Sequence, residues 1–251
     1  MSKNFELLYQ AGKAAEMLHA DVEPAEPAAL PEVSTSVAAL QIDGMARDEV
    51  SKLVHRLFFL PGPEAPRHVV FAGTEPGHGC SWMCAHVGEV LASQTTGSVC
   101  LVDCNPYSSS LHREFGMENH HGLSDALAGD DAVRGYAKQT ARHNLWLVSC
   151  GSSRETTERL LTSDRMRARM SQLRAQFDYV LMDVASLNTC NHGMVLGGLA
   201  DGVVLVLKAN SARRDSAREN IQQLQASNVN VLGAVLNQRT FPIPQRIYKR
   251  L

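Results

Sequence analysis

The stretch HVVFAGTEPGHGCSWMCAHVGEVLA, residues 68–92, joins a β-branched apolar run to a helix-forming segment through a loop with two glycines. Glycine tolerates the backbone angles that turn successive N–H groups inward, and Gly77 and Gly79 would allow this here. A helix that begins near Ser81 would point the positive end of its dipole at the same place. The stretch therefore predicts a strand, an anion-binding loop and a helix, in that order.

Short β-branched apolar runs alternate with longer segments of helical periodicity along most of the chain. The runs cover residues 68–73, 98–104, 144–150, 179–184, 202–209 and 229–237. Because they are apolar on both faces, they indicate buried parallel strands. Met166, Met170 and Leu173 fall at helical spacing between two of the runs, which indicates crossover helices. The predicted fold is a doubly wound, mostly parallel α/β sheet, in which ligands bind outside the carboxyl ends of the strands.

The residues before this alternation differ in composition from the rest of the chain. Apolar side chains at helical spacing predict an amphipathic N-terminal helix within residues 1–19. Residues 20–45 are rich in proline and alanine, which is typical of a linker. The predicted division is therefore a helix, a linker, and a main α/β domain over residues 46–251.

Charge and composition exclude several classes of partner. The chain has 24 basic and 26 acidic side chains, so its net charge of -2 offers no attraction to nucleic acid. No apolar run approaches the roughly 18–20 residues that a membrane span needs, and the first residues lack a signal-peptide core. The six cysteines form no CxxC pair, which is typical of a reducing compartment. The sequence therefore predicts a cytoplasmic protein without a membrane span.

The glycine loop aligns with the phosphate-binding pattern GxxxxGK[ST], in which the lysine contacts phosphates and the hydroxyl holds Mg²⁺. In this chain Thr74 takes the first position, Cys80 the lysine position and Ser81 the hydroxyl position. Asp103 and Asp183 each end an apolar run, where a carboxylate could hold Mg²⁺ or position a nucleophile. The alternative for each aspartate is a structural cap on the following loop.

Four segments together resemble the bacterial tyrosine kinases of capsule and exopolysaccharide synthesis. They are EPGHGCS (75–81), CLVDCNPYSSSLHREFG (100–116), LVSCGSSRETTERLLTSDRMRARMSQLRAQFDYVLMDVASLN (147–188) and ADGVVLVLKANSARRDSARENIQQL (200–224). The resemblance is to the CpsD/CapB-like cytoplasmic modules, relatives of the MinD and ParA ATPases, and it extends over residues 45–251. It implies a P-loop NTPase fold, ATP or ADP with Mg²⁺ as cofactor, and protein tyrosine kinase activity.

The departures from the family lie at the chemistry. Cys80 replaces the loop lysine, His78 a glutamate and Trp82 a small residue, while Asn105 replaces the second acid of the motif that begins at Asp103. A lysine–phosphate contact is a charge-assisted hydrogen bond worth roughly 1.5–3 kcal/mol, and phosphoryl transfer depends on such charge neutralisation. We therefore expect nucleotide binding to be weak or absent and kinase catalysis to be lost or weak. The Trp82 ring could fill nucleotide space or pack against the sheet.

The resemblance also implies a biological setting. The leading hypothesis is a degenerate kinase-like protein that regulates or scaffolds exopolysaccharide or capsule synthesis and export. The implied partner is the cytoplasmic region of a membrane polysaccharide co-polymerase, which would recruit the chain to the inner face of the membrane. The alternative is an active ATP-dependent tyrosine kinase or ATPase that a partner completes.

Three further features follow from the resemblance, each with a simpler alternative. A helical motif implies a homo-oligomer contact, whereas its alternative is a solvated face of ion pairs; its residues are Glu49, Lys52, His55 and Arg56. Asn237 resembles a residue whose amide contacts the purine base, or it is a polar strand end. Tyr248 stands alone where the family has a tyrosine-rich tail, so it is interpreted as an anchoring residue.

A second class of function comes from the cysteines and histidines predicted at one edge of the sheet. Cys80, Cys104, Cys190, His78 and His192 allow a thiol-redox or metal-binding alternative. Because a helix N-terminus stabilises a thiolate, Cys80 is predicted to be the most reactive thiol. Against this alternative, no ligand pair has the close spacing of a zinc site.

Overall fold

The computed structural model describes residues 40, 42–59, 65–210 and 214–238. The predicted N-terminal helix, most of the linker and Tyr248 lie outside these residues. Among the helices that are described, none is long and apolar enough to cross a bilayer.

In the described residues, seven strands form one sheet in the order β3-β4-β2-β5-β1-β6-β7. The strands are β1 (His68–Gly73), β2 (Val99–Cys104), β3 (Lys138–Gln139), β4 (Leu145–Val148), β5 (Tyr179–Val184), β6 (Gly202–Lys208) and β7 (Val231–Asn237). All neighbours are parallel except β3, which pairs antiparallel with β4. The predicted doubly wound, mostly parallel sheet is confirmed.

Helices connect the strands, as the periodicity predicts. They are α1 (Gly44–Phe58), α2 (Cys80–Gln94), α3 (Leu111–Glu114), α4 (Leu123–Ala128), α5 (Arg154–Leu160), α6 (Asp164–Gln176), α7 (His192–Leu199) and α8 (Arg214–Ala226). Helix α1 begins after Asp43, whose carboxylate accepts a hydrogen bond from the Ala46 N–H at 2.7 Å. In α6, the buried side chains include Met166, Met170 and Leu173.

Alternate residues of the strands pack into two separate hydrophobic cores, one on each face of the sheet. Val69 and Phe71 of β1 pack with α1 and α2, whereas Val70 and Ala72 pack on the other face with α4, α6 and α7. Helices therefore cover both faces of the central strands. The carboxyl ends of these parallel strands, with the loops that follow them, lie along one side of the sheet.

The outer strands differ from the prediction. The short polar strand β3 has no apolar pattern and was not predicted. The prediction that β7 is buried on both faces is wrong, because Ala234 and Leu236 are exposed, Leu236 to 56%. Strand β7 pairs only with β6 among the described residues and so lies at the edge of the sheet, where these two side chains stay exposed.

A buried arginine holds the end of helix α4. Arg169 of α6 is only 6% exposed. Its guanidinium donates hydrogen bonds to the carbonyl oxygens of Ala126 (2.7 Å), Gly129 (2.6 Å) and Asp131 (2.7 Å), and to the Gln172 side chain (2.8 Å). These carbonyls lie at the C-terminus of α4 and just beyond it, where helical partners are missing. Arg169 therefore joins α4 to α6.

Candidate functional site

The loop between β1 and α2 has the geometry that its glycines predict. Gly77 and Gly79 have φ angles of 81° and 76°, in the left-handed region. Gly79 immediately precedes α2 and provides no side-chain cap. The first N–H groups of this helix therefore receive no hydrogen bond from a capping side chain, and they lie at the positive end of the helix dipole. The strand, loop and helix together form an anion-binding arrangement. We call the loop and the first two helical residues (residues 74–81) the phosphate loop.

Asp103 and Asp183 are brought together at the carboxyl edge of the sheet. They are register partners in β2 and β5, and both are fully buried. The Asp103 carboxylate accepts hydrogen bonds from the N–H groups of Ser110 (3.1 Å) and Leu111 (3.2 Å) and from the Ser109 hydroxyl (2.9 Å). Asp103 therefore caps the start of α3, which is the structural role considered as the alternative. Ser109 was missed in the sequence, where only its nearness to Asp103 could have indicated it.

Asp183 has a different environment. Neither carboxylate oxygen has a hydrogen-bond partner of regular geometry among the described residues, although the Ser81 hydroxyl and the Cys80 thiol lie close. Burial raises its pKa to about 8, assisted by the negative charge of Asp103. Burial also raises the pKa of Asp103 to about 6, against the opposing effect of its hydrogen bonds. Asp183 is therefore a buried acid beside the phosphate loop, without a regular hydrogen bond from the part of the chain that the structure describes.

The lysine position holds no charge that could balance these acids. Burial, followed by the charge of Asp183, raises the pKa of the Cys80 thiol well above its usual value. This direction is opposite to the thiolate stabilisation predicted from the helix N-terminus, because burial and the nearby carboxylate outweigh the helix dipole; the reactivity of Cys80 stays a prediction. No positive side chain among the described residues contributes to the pKa of Asp183.

The donor set of this site suits Mg²⁺ better than it suits phosphate. Magnesium favours oxygen ligands, usually one or two carboxylates completed by water and phosphate oxygens. Asp183, Ser81 and Asp103 supply such oxygens, and the unpartnered carboxylate of Asp183 fits the role. A phosphate group would find backbone N–H groups but only the neutral Cys80 at the lysine position.

His78 and Asn237 contact the loop itself. The His78 ring is buried, with Nδ1 3.3 Å from the Thr74 hydroxyl and 3.4 Å from the Val206 carbonyl oxygen. The Asn237 side-chain amide donates to the carbonyl oxygens of His78 (3.0 Å) and Gly79 (3.4 Å). The structure thus places both residues at the loop, through contacts within the chain; their contact with a nucleotide stays a prediction.

Trp82 packs along the helix. Its ring stacks on His86 of the next turn, with centroids 3.9 Å apart, and the His86 ring also bonds the Trp82 carbonyl at 2.8 Å. Trp82 is half-buried against the core that contains α2. Of the two orientations considered from the sequence, the structure has the one in which the ring packs against the domain.

The cysteine and histidine residues do not assemble into a metal centre. Within the described ranges, no group of three His, Cys, Asp or Glu side chains is arranged to hold a metal ion. Near Cys190, the Tyr107 hydroxyl donates to Glu158 at 2.6 Å, and the Tyr107 ring stacks on His192 with centroids 6.0 Å apart. The hydrogen bond to Glu158 raises the pKa of Tyr107 to about 12. These residues thus connect the loops around the site.

The residues predicted for oligomer contact lie on the outer side of α1. Glu49 and Lys52 form an exposed ion pair at 2.6 Å, which lowers the pKa of Glu49. His55 and Arg56 are also exposed, and the His55 ring packs edge-on against Phe59. This face is accessible in the single chain, and its role in oligomer contact stays a prediction.

Replacing each loop glycine by alanine separates backbone strain from steric conflict. A left-handed residue with a side chain costs about 1–2 kcal/mol, which we expect for Gly77→Ala because nothing lies within 4 Å of its added Cβ. In Gly79→Ala the Cβ would overlap the Asn237 amide, so we expect a loss of about 2–4 kcal/mol. Urea unfolding of both variants measures the difference, and equal losses would contradict the close approach of Asn237.

Comparisons with known proteins give relatives of one kind. The chain matches no family model. It is 34% identical to the putative tyrosine-protein kinase EpsB of Ralstonia nicotianae over 170 residues, which are 67% of this chain but 22% of that protein. It is 25% identical to the tyrosine-protein kinase YwqD of Bacillus subtilis over 171 residues, 68% of this chain and 72% of that protein. The chain thus spans about a fifth of the length of the first of these relatives.

Solved structures with the same fold include kinase domains and nucleotide-bound proteins. The kinase domain of the Escherichia coli tyrosine kinase ETK superposes with a TM-score of 0.68 at 20% identity, covering 82% of this chain and 85% of that one. The septum site-determining protein MinD from Pyrococcus horikoshii, complexed with Mg-ADP, has a TM-score of 0.59 at 18% identity, covering 73% and 76%. These similarities show a MinD-like P-loop fold.

Proposed function

Because this chain is a homologue of bacterial tyrosine-protein kinases and has the fold of a solved kinase domain of that kind, we propose that it is a degenerate member that regulates or scaffolds exopolysaccharide or capsule synthesis and export. In this proposal the chain does not transfer phosphoryl groups by itself. Its fold would serve to bind other components of the synthesis and export system.

The observation that carries the proposal is the neutral Cys80 beside two buried carboxylates. Nucleotide phosphates bring several negative charges to the loop, next to Asp103 and Asp183. In phosphoryl transfer, catalysis consists almost entirely of positioning and charge neutralisation. Without a lysine, the positive contribution at this point is limited to backbone N–H groups, so the reaction is impaired more than binding is.

Magnesium would offset part of this deficit. Asp183 and Ser81 would hold the ion, with Asp103 beside them, and the ion would supply the positive charge that neutralises phosphate oxygens. We therefore propose weak, Mg²⁺-dependent binding of ADP or ATP. In this chain Ser81 and Asp183 would bind the ion, and the phosphate loop would orient the phosphates.

The partner that we propose comes from the family resemblance and from α1. The partner is the cytoplasmic region of a membrane polysaccharide co-polymerase, and the exposed face with Glu49, Lys52, His55 and Arg56 would contact a second copy of this chain. Co-purification with such a cytoplasmic region tests the partner, and loss of self-association when this face is substituted tests the contact between copies.

The second candidate function is an active tyrosine kinase or ATPase that a partner completes. The left-handed glycines of the phosphate loop and the paired aspartates favour it, because they keep the framework of a nucleotide site. In this candidate a cation from the partner would act at the position of Cys80. Transfer of labelled phosphate to tyrosine in the presence of the partner, lost in Asp183→Ala, would establish it.

Calorimetry of Mg-ADP and Mg-ATP binding to the wild type and to Cys80→Lys tests the proposed function directly. We expect the added ammonium group to raise the affinity roughly ten- to a hundredfold, since it adds a charge-assisted hydrogen bond. Cys80→Ala is the matched control, because it removes the thiol without adding charge. Micromolar binding by the wild type with no gain in Cys80→Lys would refute the proposal and favour the active enzyme.

A further inference from the structure

We propose that Asn237 is a positioning residue of the phosphate loop, which it holds through its side-chain amide, rather than a reader of the purine base. Asn237 ends β7, and its backbone is fixed there because its carbonyl oxygen accepts a hydrogen bond from the Ala209 N–H at 2.8 Å. The side chain then extends from this fixed point over the loop.

Both ends of the amide group are occupied within the chain. Nδ2 donates to the carbonyl oxygens of His78 and Gly79, at 3.0 and 3.4 Å. Oδ1 accepts a hydrogen bond from the Gln238 N–H at 2.8 Å. An amide that recognises adenine presents its donor and its acceptor together to the base edge. Because both N–H groups of Nδ2 are in use, Nδ2 would have to give up one of its bonds to the loop before it could donate to a base.

The approach of Asn237 to Gly79 is close. A Cβ added to Gly79 would lie 2.3 Å from Asn237 Nδ2 and 3.2 Å from Gln238 Nε2. Only glycine leaves room for these two amides, and only glycine adopts the φ of 76° there without strain. Gln238, which ends the described residues after β7, also has a left-handed backbone, with a φ of 55°.

The Gly79 carbonyl oxygen, which accepts from Asn237, also accepts a hydrogen bond within α2. The Gly79 carbonyl oxygen accepts the Met83 N–H at 3.0 Å, the first hydrogen bond along the helix. Asn237 therefore fixes the loop at the point where α2 starts. On the other side of the loop, the His78 ring contacts Thr74 and Val206, so the loop is held from both sides by protein groups.

Amide hydrogen exchange at Met83 tests this role without any nucleotide. We compare the wild type with Asn237→Ala and with Asn237→Asp, which keeps the shape but cannot donate. Loss of a hydrogen bond of ordinary strength predicts exchange at Met83 about five- to tenfold faster in both variants. Asn230→Ala is the matched control: its amide donates to the Asp201 carbonyl at 3.3 Å, just before β7, and should leave Met83 unchanged. Unchanged exchange at Met83 in both Asn237 variants would overturn the proposal.

Ligand binding gives a second measurement, which separates a role in positioning the phosphate loop from a contact with the base. In the Cys80→Lys background, we expect Asn237→Ala to change the affinities for ADP and for inorganic pyrophosphate by the same factor, because the loop binds only their phosphates. A loss confined to ADP would identify Asn237 as a base contact and overturn the proposal. Because the exchange measurement needs no nucleotide, its result is independent of whether Cys80→Lys recovers binding.

Discussion

Asp183→Asn is expected to stabilise the protein at pH 9 by on the order of several kcal/mol, while its stability near pH 4 changes little. The reason is the burial of Asp183 beside Asp103, without a hydrogen bond of regular geometry or a cation to offset its charge among the described residues. Asparagine has nearly the same shape and carries no charge at any pH.

The sign follows from the two pKa values of Asp183. In the folded protein its pKa is raised to about 8, against an ordinary value of 3.8, so the folded chain binds this proton more tightly than the unfolded chain. The stability from Asp183 is therefore fully present below about pH 4, decreases as the pH rises, and is lost above about pH 8. The variant lacks this decrease, so its advantage over the wild type grows between these limits.

Urea unfolding between pH 5 and 9 with EDTA measures this dependence. Asp178→Asn is a control of opposite sign: hydrogen bonds from Ser98 lower the pKa of Asp178 below 3.8, so its carboxylate stabilises the fold throughout this range, and the variant should lose stability by an amount that does not change from pH 5 to 9. A difference between Asp183→Asn and wild type that does not change with pH would contradict the raised pKa.

The stability advantage of Asp183→Asn over the wild type is expected to shrink when Mg²⁺ is present. Magnesium that binds Asp183 offsets the charge of this carboxylate, so it should raise the stability of the wild type at pH 8. Asp183→Asn should show no such gain. If Mg²⁺ stabilises both proteins equally, its binding site does not include Asp183.

Arg169→Ala is expected to destabilise the protein by about 3–5 kcal/mol. Arg169 donates four hydrogen bonds, three of them to carbonyl oxygens at the end of α4 and just beyond it, and is nearly fully buried. Alanine would leave these carbonyls without their donor and would open a cavity between α4 and α6. Thermal or urea unfolding measures the loss.

Arg167→Ala provides the matched control on the same helix. Arg167 is exposed, and its one ion pair within the described residues, with the exposed Asp164 at 3.6 Å, is of a kind that contributes little. We expect a change of less than about 0.5 kcal/mol. Similar losses for the two variants would show that the interior contacts of Arg169 do not control stability.

The sequence predicted the central strands because their signal is local. Apolar runs bounded by turn residues place β1 and β5 with the bounds that the structure has, His68–Gly73 and Tyr179–Val184. The run 144–150 is shorter as a strand, since the carbonyl oxygens of Ser149 and Cys150 bind the first N–H groups of α4. The two carbonyl oxygens thus bind a helix in place of a neighbouring strand, and this depends on tertiary contacts that the sequence periodicity does not predict.

In the site, too, the features that depend on local sequence were predicted, and those that depend on tertiary contacts were not. The glycine loop and the pairing of Asp103 with Asp183 follow from strand ends that the pattern locates. The environment of His78 depends on Val206, which is 128 residues away, and that of Cys80 on Asp183 in another strand. Charge and burial at these side chains come from the assembled sheet, so sequence reasoning about the helix N-terminus alone gave the wrong sign for the Cys80 pKa.

Because Trp82 directly follows the phosphate loop and its ring stacks on His86, its intrinsic fluorescence can report on the structure at the loop. The chain has 2 tryptophans, and the other, Trp146, lies under the guanidinium of Arg134 at 3.9 Å from its ring centroid. Their emission therefore comes from unlike surroundings, one beside Ser81 and one on β4. In a Trp146→Phe protein, the remaining emission would report on the start of α2 alone, without an attached dye.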